Sequence, residues 1–155
     1  MLTASTVAPM IQVPVVRLDP ELTLPGYAHD GDAGLDLYAR EDAVVAAGGG
    51  RTLVPTGIAI ALPQGYAGLI LPRSGLALRH GVTVANAPGL IDCGYRGEVQ
   101  VVLLNTDPDT DFHVVRGHRV AQLVVQAVEQ VGWLPMAELP TDSARGVGGW
   151  GHSGR

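Results

Sequence analysis

Five short stretches carry polar residues that the surrounding apolar sequence does not explain: AGLDLYA (33–39), PRSGLA (72–77), NAPGLIDCGYRGEV (86–99), RGHRVAQLV (116–124) and RGVGGWGHSG (145–154). Each contains glycine, and each introduces an Asp, Arg, Ser or Gln. Asp92 follows an apolar pair and precedes Cys-Gly-Tyr, the pattern of a hairpin bend. A carboxylate at such a bend can orient a water molecule and accept its proton. Equally, it can close an Asx-turn onto its own backbone. Tyr95 offers a cross-strand aromatic contact or a flat surface beneath a sugar.

Arg73 and Ser74 open a short helix-like run. A guanidinium and a hydroxyl beside helical N–H groups make an anion site; the plainer alternative is Ser74 as N-cap with Arg73 in solvent. Gln122 interrupts an apolar strand and faces either a cleft or water. The glycine-rich tail has little with which to build a core, so it is either a frayed terminus or a strap that orders over an anionic ligand. In the second case Arg145 supplies a forked cation and Trp150 a flat face for a ring. No His or Cys spacing suits a metal site, and Cys93 has no His neighbour that would make it a nucleophile.

The elements that must position these residues are mostly strands. Runs rich in Val, Ile and Leu occur at 11–18, 51–62, 66–72, 81–86, 97–105 and 119–128. With 21 Gly and 11 Pro, turns arrive too often for long helices. Residues 74–81 form the one helix candidate, capped by Ser74 and stopped by Gly81. Many short strands without intervening long helices predict an antiparallel all-β sandwich or barrel, with a jelly roll the natural choice. The apolar pattern stops after GWLPMAELP, so residues 1–140 are expected to form one β-domain. Residues 141–155 then form a flexible arm, and Pro135 and Pro140 suit its departure from its own subunit.

Bulk composition narrows the function classes. A chain of 155 residues suits one domain, and 46% hydrophobic against 16% charged residues is globular rather than disordered. A mean hydropathy of +0.22 predicts apolar surface covered in an oligomer. The net charge of −5 argues against a broad nucleic-acid surface. One cysteine excludes an intrachain disulfide, no export signal is expected, and no apolar run approaches the roughly 20 residues of a membrane span. A cytoplasmic protein with neither a nucleic-acid nor a membrane partner is the expectation.

Taken in order and spelling, the five stretches resemble the five motifs of the homotrimeric dUTPase family, over residues 33–154. GLIDCGYRGE, PRSGLA and a terminal RGxGGxGxxG are the specific parts. The resemblance implies a distorted jelly roll with one short helix and a C-terminal arm exchanged between subunits. It also implies Mg²⁺-dependent hydrolysis of dUTP to dUMP and pyrophosphate, in sites shared by a homotrimer. By similarity, Asp92 activates the water that attacks the α-phosphorus, and Tyr95 packs on deoxyribose and crowds out a 2′-hydroxyl. Asn86, with hairpin backbone, reads the uracil edge.

The resemblance further implies that Arg73, Ser74 and Gly75 contact phosphates and that Gln122 bonds the α-phosphate region. Asp36 would stand near metal-bound waters, and Mg²⁺ itself would be held by phosphate oxygens and water, without a direct protein ligand. Arg145 would clamp the γ-phosphate while Gly151 and Ser153 close the arm over the triphosphate. Trp150 replaces the family's usual stacking Phe, and His152 a common Ser. Two rivals remain: a dCTP deaminase, which shares the fold but places Glu where this chain has Val102 and lacks the arm motif, and a non-catalytic trimeric binding protein.

Overall fold

The computed structural model describes residues 10–143 and 146–147. Arg145, Trp150, Gly151 and Ser153, all expected in the site, lie outside the described residues. In chain order the elements are β1 (Val15–Arg17), β2 (Leu35–Tyr38), β3 (Ala43–Val45), β4 (Arg51–Ile60), β5 (Tyr66–Leu71), α1 (Ser74–His80), β6 (Val82–Val84), β7 (Gly89–Ile91), β8 (Glu98–Asn105), β9 (Phe112–Val114) and β10 (Arg119–Ala127). They build two four-stranded sheets, β1-β4-β8-β6 and β2-β10-β5-β7, and a small β3-β9 pair. Every pairing is antiparallel. This is the expected all-β architecture with a single short helix. Among the described residues no helix is long and apolar enough to cross a membrane.

Period-2 patterning makes the core. Along β8 the side chains of Val99, Val101, Leu103 and Asn105 are buried while their neighbours are not, because successive strand residues point to opposite faces. Inward residues of both large sheets meet in one cluster that includes Leu37, Val54, Ile58, Ile70, Val101 and Leu123. The buried amide of Asn105 is fully used: its Nδ2 donates to the carbonyls of Val45 (3.0 Å) and Thr110 (2.8 Å), and its Oδ1 accepts from Asp107 N–H (3.0 Å).

β4 is central in its sheet yet contains Pro55, which cannot donate to a ladder. The register shifts between Pro55 and Ala59, and this irregularity absorbs the proline. Gly57 sits in the bulge at φ 73°, a conformation costly for residues with a Cβ. Its N–H leaves the ladder and donates instead to Glu98 Oε1 at 2.8 Å.

One local expectation is corrected. Ser74 is not the helix cap but the first helical residue; Arg73 occupies the N-cap position in extended conformation, and no side chain caps the helix. Arg73 is the last extended residue after β5, so the turn into the helix comes one residue earlier than the serine suggests. Gly81 ends the helix in the left-handed conformation, as expected.

Candidate active site

Two groups of predicted residues form, at different places. The first is gathered by strand register. Gln122 on β10 pairs with Asp36 on β2 on one side and with Leu71 on β5 on the other, and Arg73 follows Leu71 by two residues. Asp36 is buried. Arg73 Nε lies 3.4 Å from its Oδ1 and Arg119 Nη1 3.1 Å from its Oδ2. Gln122 Nε2 donates to Oδ1 at 3.5 Å, and Arg73 Nη1 donates to the backbone carbonyl of Arg119 at 3.1 Å.

The electrostatics follow from this layering. A buried carboxylate is tolerated when it is paired and hydrogen-bonded, and here two guanidiniums share one carboxylate. The Asp36 side chain is 6% exposed, whereas those of Arg73 and Arg119 are 26% and 48% exposed. Negative charge therefore lies beneath and a net positive charge faces outward, which favours an anion. Ser74 and Gly75 begin α1 immediately beside it. Leu76 and Ala77 N–H both donate to Arg73 O at 3.1 Å, and the preceding N–H groups have no intrahelical acceptor.

The second group lines a cavity of about 260 Å³ whose walls include Asn86, Asp92 and Tyr95, with Leu53, Ile70 and Leu90. β7 carries the chain past Leu90 into a tight bend, closed by the Tyr95 N–H bond to Asp92 O at 3.0 Å. Arg96 Nη1 braces the bend from within through the carbonyls of Cys93 (2.6 Å) and Tyr95 (2.7 Å). The Asp92 side chain is exposed and, among the described residues, its carboxylate forms no hydrogen bond or ion pair. The Asx-turn alternative is thus not realised. Cys93 is partly buried against the core.

Within one chain the two groups stand apart. Ile91 pairs with Gly68 in the antiparallel β5–β7 ladder, so Asp92 falls opposite Ala67. Arg73 is six residues further along, roughly 20 Å at a strand rise of about 3.3 Å per residue.

Sequence reasoning overlooked Arg119 and Glu98. In a regular strand, residues three apart point to opposite faces, so Arg119 and Gln122 would be separated. A register irregularity between Arg119 and Ala121 brings both to Asp36. Glu98 accepts from Gly57 N–H and pairs with Arg40 at 3.3 Å, and its backbone carbonyl accepts the Tyr95 hydroxyl at 2.9 Å. The final residue of GYRGE was the available signal. Val102, where a deaminase would carry Glu, pairs with Leu53 on β4.

Comparison with known proteins points to one family. The dUTPase family model matches residues 21–154. The deoxyuridine 5′-triphosphate nucleotidohydrolase of Thermobifida fusca is 60% identical over 144 residues, covering 93% of this chain and 79% of the relative. In fold, the chain is similar to the dUTPase of Staphylococcus bacteriophage 80alpha with dUpNHpp: TM-score 0.86, 24% identity, 94% of this chain and 100% of the other. It is also similar to a variant dUTPase from phage phi11 of S. aureus that coordinates a structural Mg(II) ion, with TM-score 0.77, 21% identity, and coverage of 84% and 100%. The family match spans most of the chain and takes in all five motifs whole: this protein belongs to the dUTPase family.

Proposed function

We propose that the chain hydrolyses dUTP to dUMP and pyrophosphate in the cytoplasm, with Mg²⁺, at sites shared between the subunits of a homotrimer. The observation that carries this reading is one cavity lined by an exposed carboxylate that bonds to none of the described residues (Asp92), an amide (Asn86) and an aromatic ring (Tyr95) in a dUTPase-family chain. Asn86 and the hairpin backbone bond the uracil edge, and a wrong base leaves those groups unpaired. Tyr95 lies against the deoxyribose. Asp92 orients a water at the α-phosphorus and takes its proton as the bond to the bridging oxygen breaks and pyrophosphate leaves. Much of its effect is positional, since holding a nucleophile at attack distance removes much of the entropic barrier.

Charge is managed by the other group. Arg73, Ser74 and Gly75 contact phosphate oxygens, and Gln122 bonds near the α-phosphate. Asp36, assigned to the waters around the ion, has both oxygens engaged by Arg73 and Arg119, so it also sets where those cations stand. Among the described residues no cluster of three His, Cys, Asp or Glu could hold a metal. This donor set fits an ion carried mainly on phosphate oxygens and water, as Mg²⁺ favours. Bound there, Mg²⁺ would supply neutralisation of phosphate charge. The arm of residues 141–155, through Arg145, Trp150, Gly151 and Ser153, closes over base and triphosphate.

The roughly 20 Å between Asp92 and Arg73 along one chain supports a site built from more than one copy. Pyrophosphate release measured across dUTP, dTTP, dCTP and UTP should show strong preference for dUTP; release of ammonia from dCTP would favour the deaminase. Co-refolding Asp92→Asn with Arg73→Ala, each inactive alone, should restore part of the activity, because mixed assemblies contain sites with both halves intact. Absence of any recovery would place both residues in one chain's site.

A further inference from the structure

We infer that Gly97 is a specificity-determining residue: its bare backbone is the seat that holds the Tyr95 ring in place over the cavity. The inference rests on the reading of Tyr95 as the surface that excludes a 2′-hydroxyl. Tyr95 is 44% exposed, and an exposed aromatic side chain ordinarily samples more than one rotamer. Two contacts restrict this one. Its hydroxyl donates to the backbone carbonyl of Glu98 at 2.9 Å, and its ring end lies on Gly97.

The fit at Gly97 leaves no room for a side chain. A Cβ there would sit 2.7 Å from Tyr95 Cζ and 3.1 Å from Cε2, and nearer still to the hydroxyl oxygen. These are rigid ring atoms, so the ring must swing away and its hydroxyl must leave Glu98. The anchor on the other side does not yield easily. Glu98 opens β8, its carboxylate takes Gly57 N–H at 2.8 Å in the β4 bulge and pairs with Arg40 at 3.3 Å, and Val99 beyond it is buried. Gly97 thus touches no expected substrate atom and acts through Tyr95, as a positioning residue.

The test is the ratio of kcat/KM for dUTP to that for UTP in four purified full-length variants. Tyr95→Ala should lower this ratio by about a hundredfold, because the wall against the 2′-hydroxyl is gone. Gly97→Ala should lower it by about tenfold, and adding Gly97→Ala to Tyr95→Ala should change nothing further. Tyr95→Phe, which loses only the hydroxyl anchor, should fall between wild type and Gly97→Ala. An unchanged ratio in Tyr95→Ala removes Tyr95 from sugar selection and sinks the reading beneath the inference. A change in Tyr95→Ala with a wild-type ratio in Gly97→Ala overturns the seat alone, as does a further drop in the double variant. If Gly97→Ala does not fold, the ring contacts of the wild type decide, and their absence overturns the seat. Nuclear Overhauser contacts between the Gly97 α-protons and the Tyr95 ring in the wild type check the seat without any turnover.

Discussion

Asp36 and Asp92 are two aspartates set in opposite surroundings. Asp36 is buried on a strand and bonded by two guanidiniums and an amide. Asp92 is exposed at a bend, and its carboxylate bonds to none of the described residues. The same side chain is a fixed structural counter-charge in the first place and an available acceptor in the second. What separates the two roles is whether the acceptor lone pairs are already used, and each role predicts a different kind of damage on substitution.

The largest effect is expected at the free carboxylate. Asp92→Asn should lower kcat by about 10²- to 10⁴-fold, the usual contribution of a positioned acid–base group, while chemical denaturation shows stability within about 0.5 kcal/mol of wild type, as for a surface site. Near-normal turnover in that variant would remove Asp92 from the reaction. Asp36→Asn should differ by lowering stability as well as turnover. It strands two cations against a buried amide and should cost about 2–3 kcal/mol of unfolding free energy, less than the 3–5 typical of fully buried pairs because both arginines reach solvent. A denaturation midpoint equal to wild type would mean that the ion pairs contribute nothing to the fold.

The smallest effect sharpens the contrast by separating exposure from bonding. Asp107 is partly exposed, on a loop as Asp92 is, yet its Oδ1 accepts N–H from Asp109 (3.0 Å) and Thr110 (2.8 Å). These backbone bonds, Asp109 first, hold its carboxyl below the usual carboxylate range. A depressed folded pKa gives stability that is complete above the ordinary carboxylate pKa of about 3.9 and is lost as pH falls through the folded value. Wild type should therefore lose slightly more stability than Asp107→Asn on acidification below about pH 4. Parallel acid titrations of the two would refute the bonding account of Asp107.

The same distinction shows how much was legible in the sequence. All six apolar runs became strands, because long stretches of β-branched and aliphatic residues carry their own signal. β2, β3, β7 and β9, of three or four residues each, were not named as strands, since so short a run shows too little alternation. The all-β class followed from the many short apolar runs, the density of turns between them and the lack of long helices. In the site, Arg73, Asp92, Tyr95 and Gln122 stood out by residue type and setting, whereas Asp36 and Asn86 took their roles only from the resemblance to the dUTPase motifs. Arg119 did neither, because a strand irregularity places it. The cap is misplaced at Ser74 because a serine before an apolar run cannot report that the chain already turns into the helix after Arg73. Neither Glu98 nor Gly97 shows its contact in one dimension: one depends on a bulge in a distant strand, the other on a side chain it lacks.

The opposed ends of the β5–β7 ladder carry a genetic corollary. If each chain lends its bend to one neighbour's pocket and its cations to another, two lesions in the same half of a gene product disable one pocket per faulty copy. One lesion in each half disables two. Inheritance of partial defects would then track where along the chain the damage falls, and not how many residues are altered.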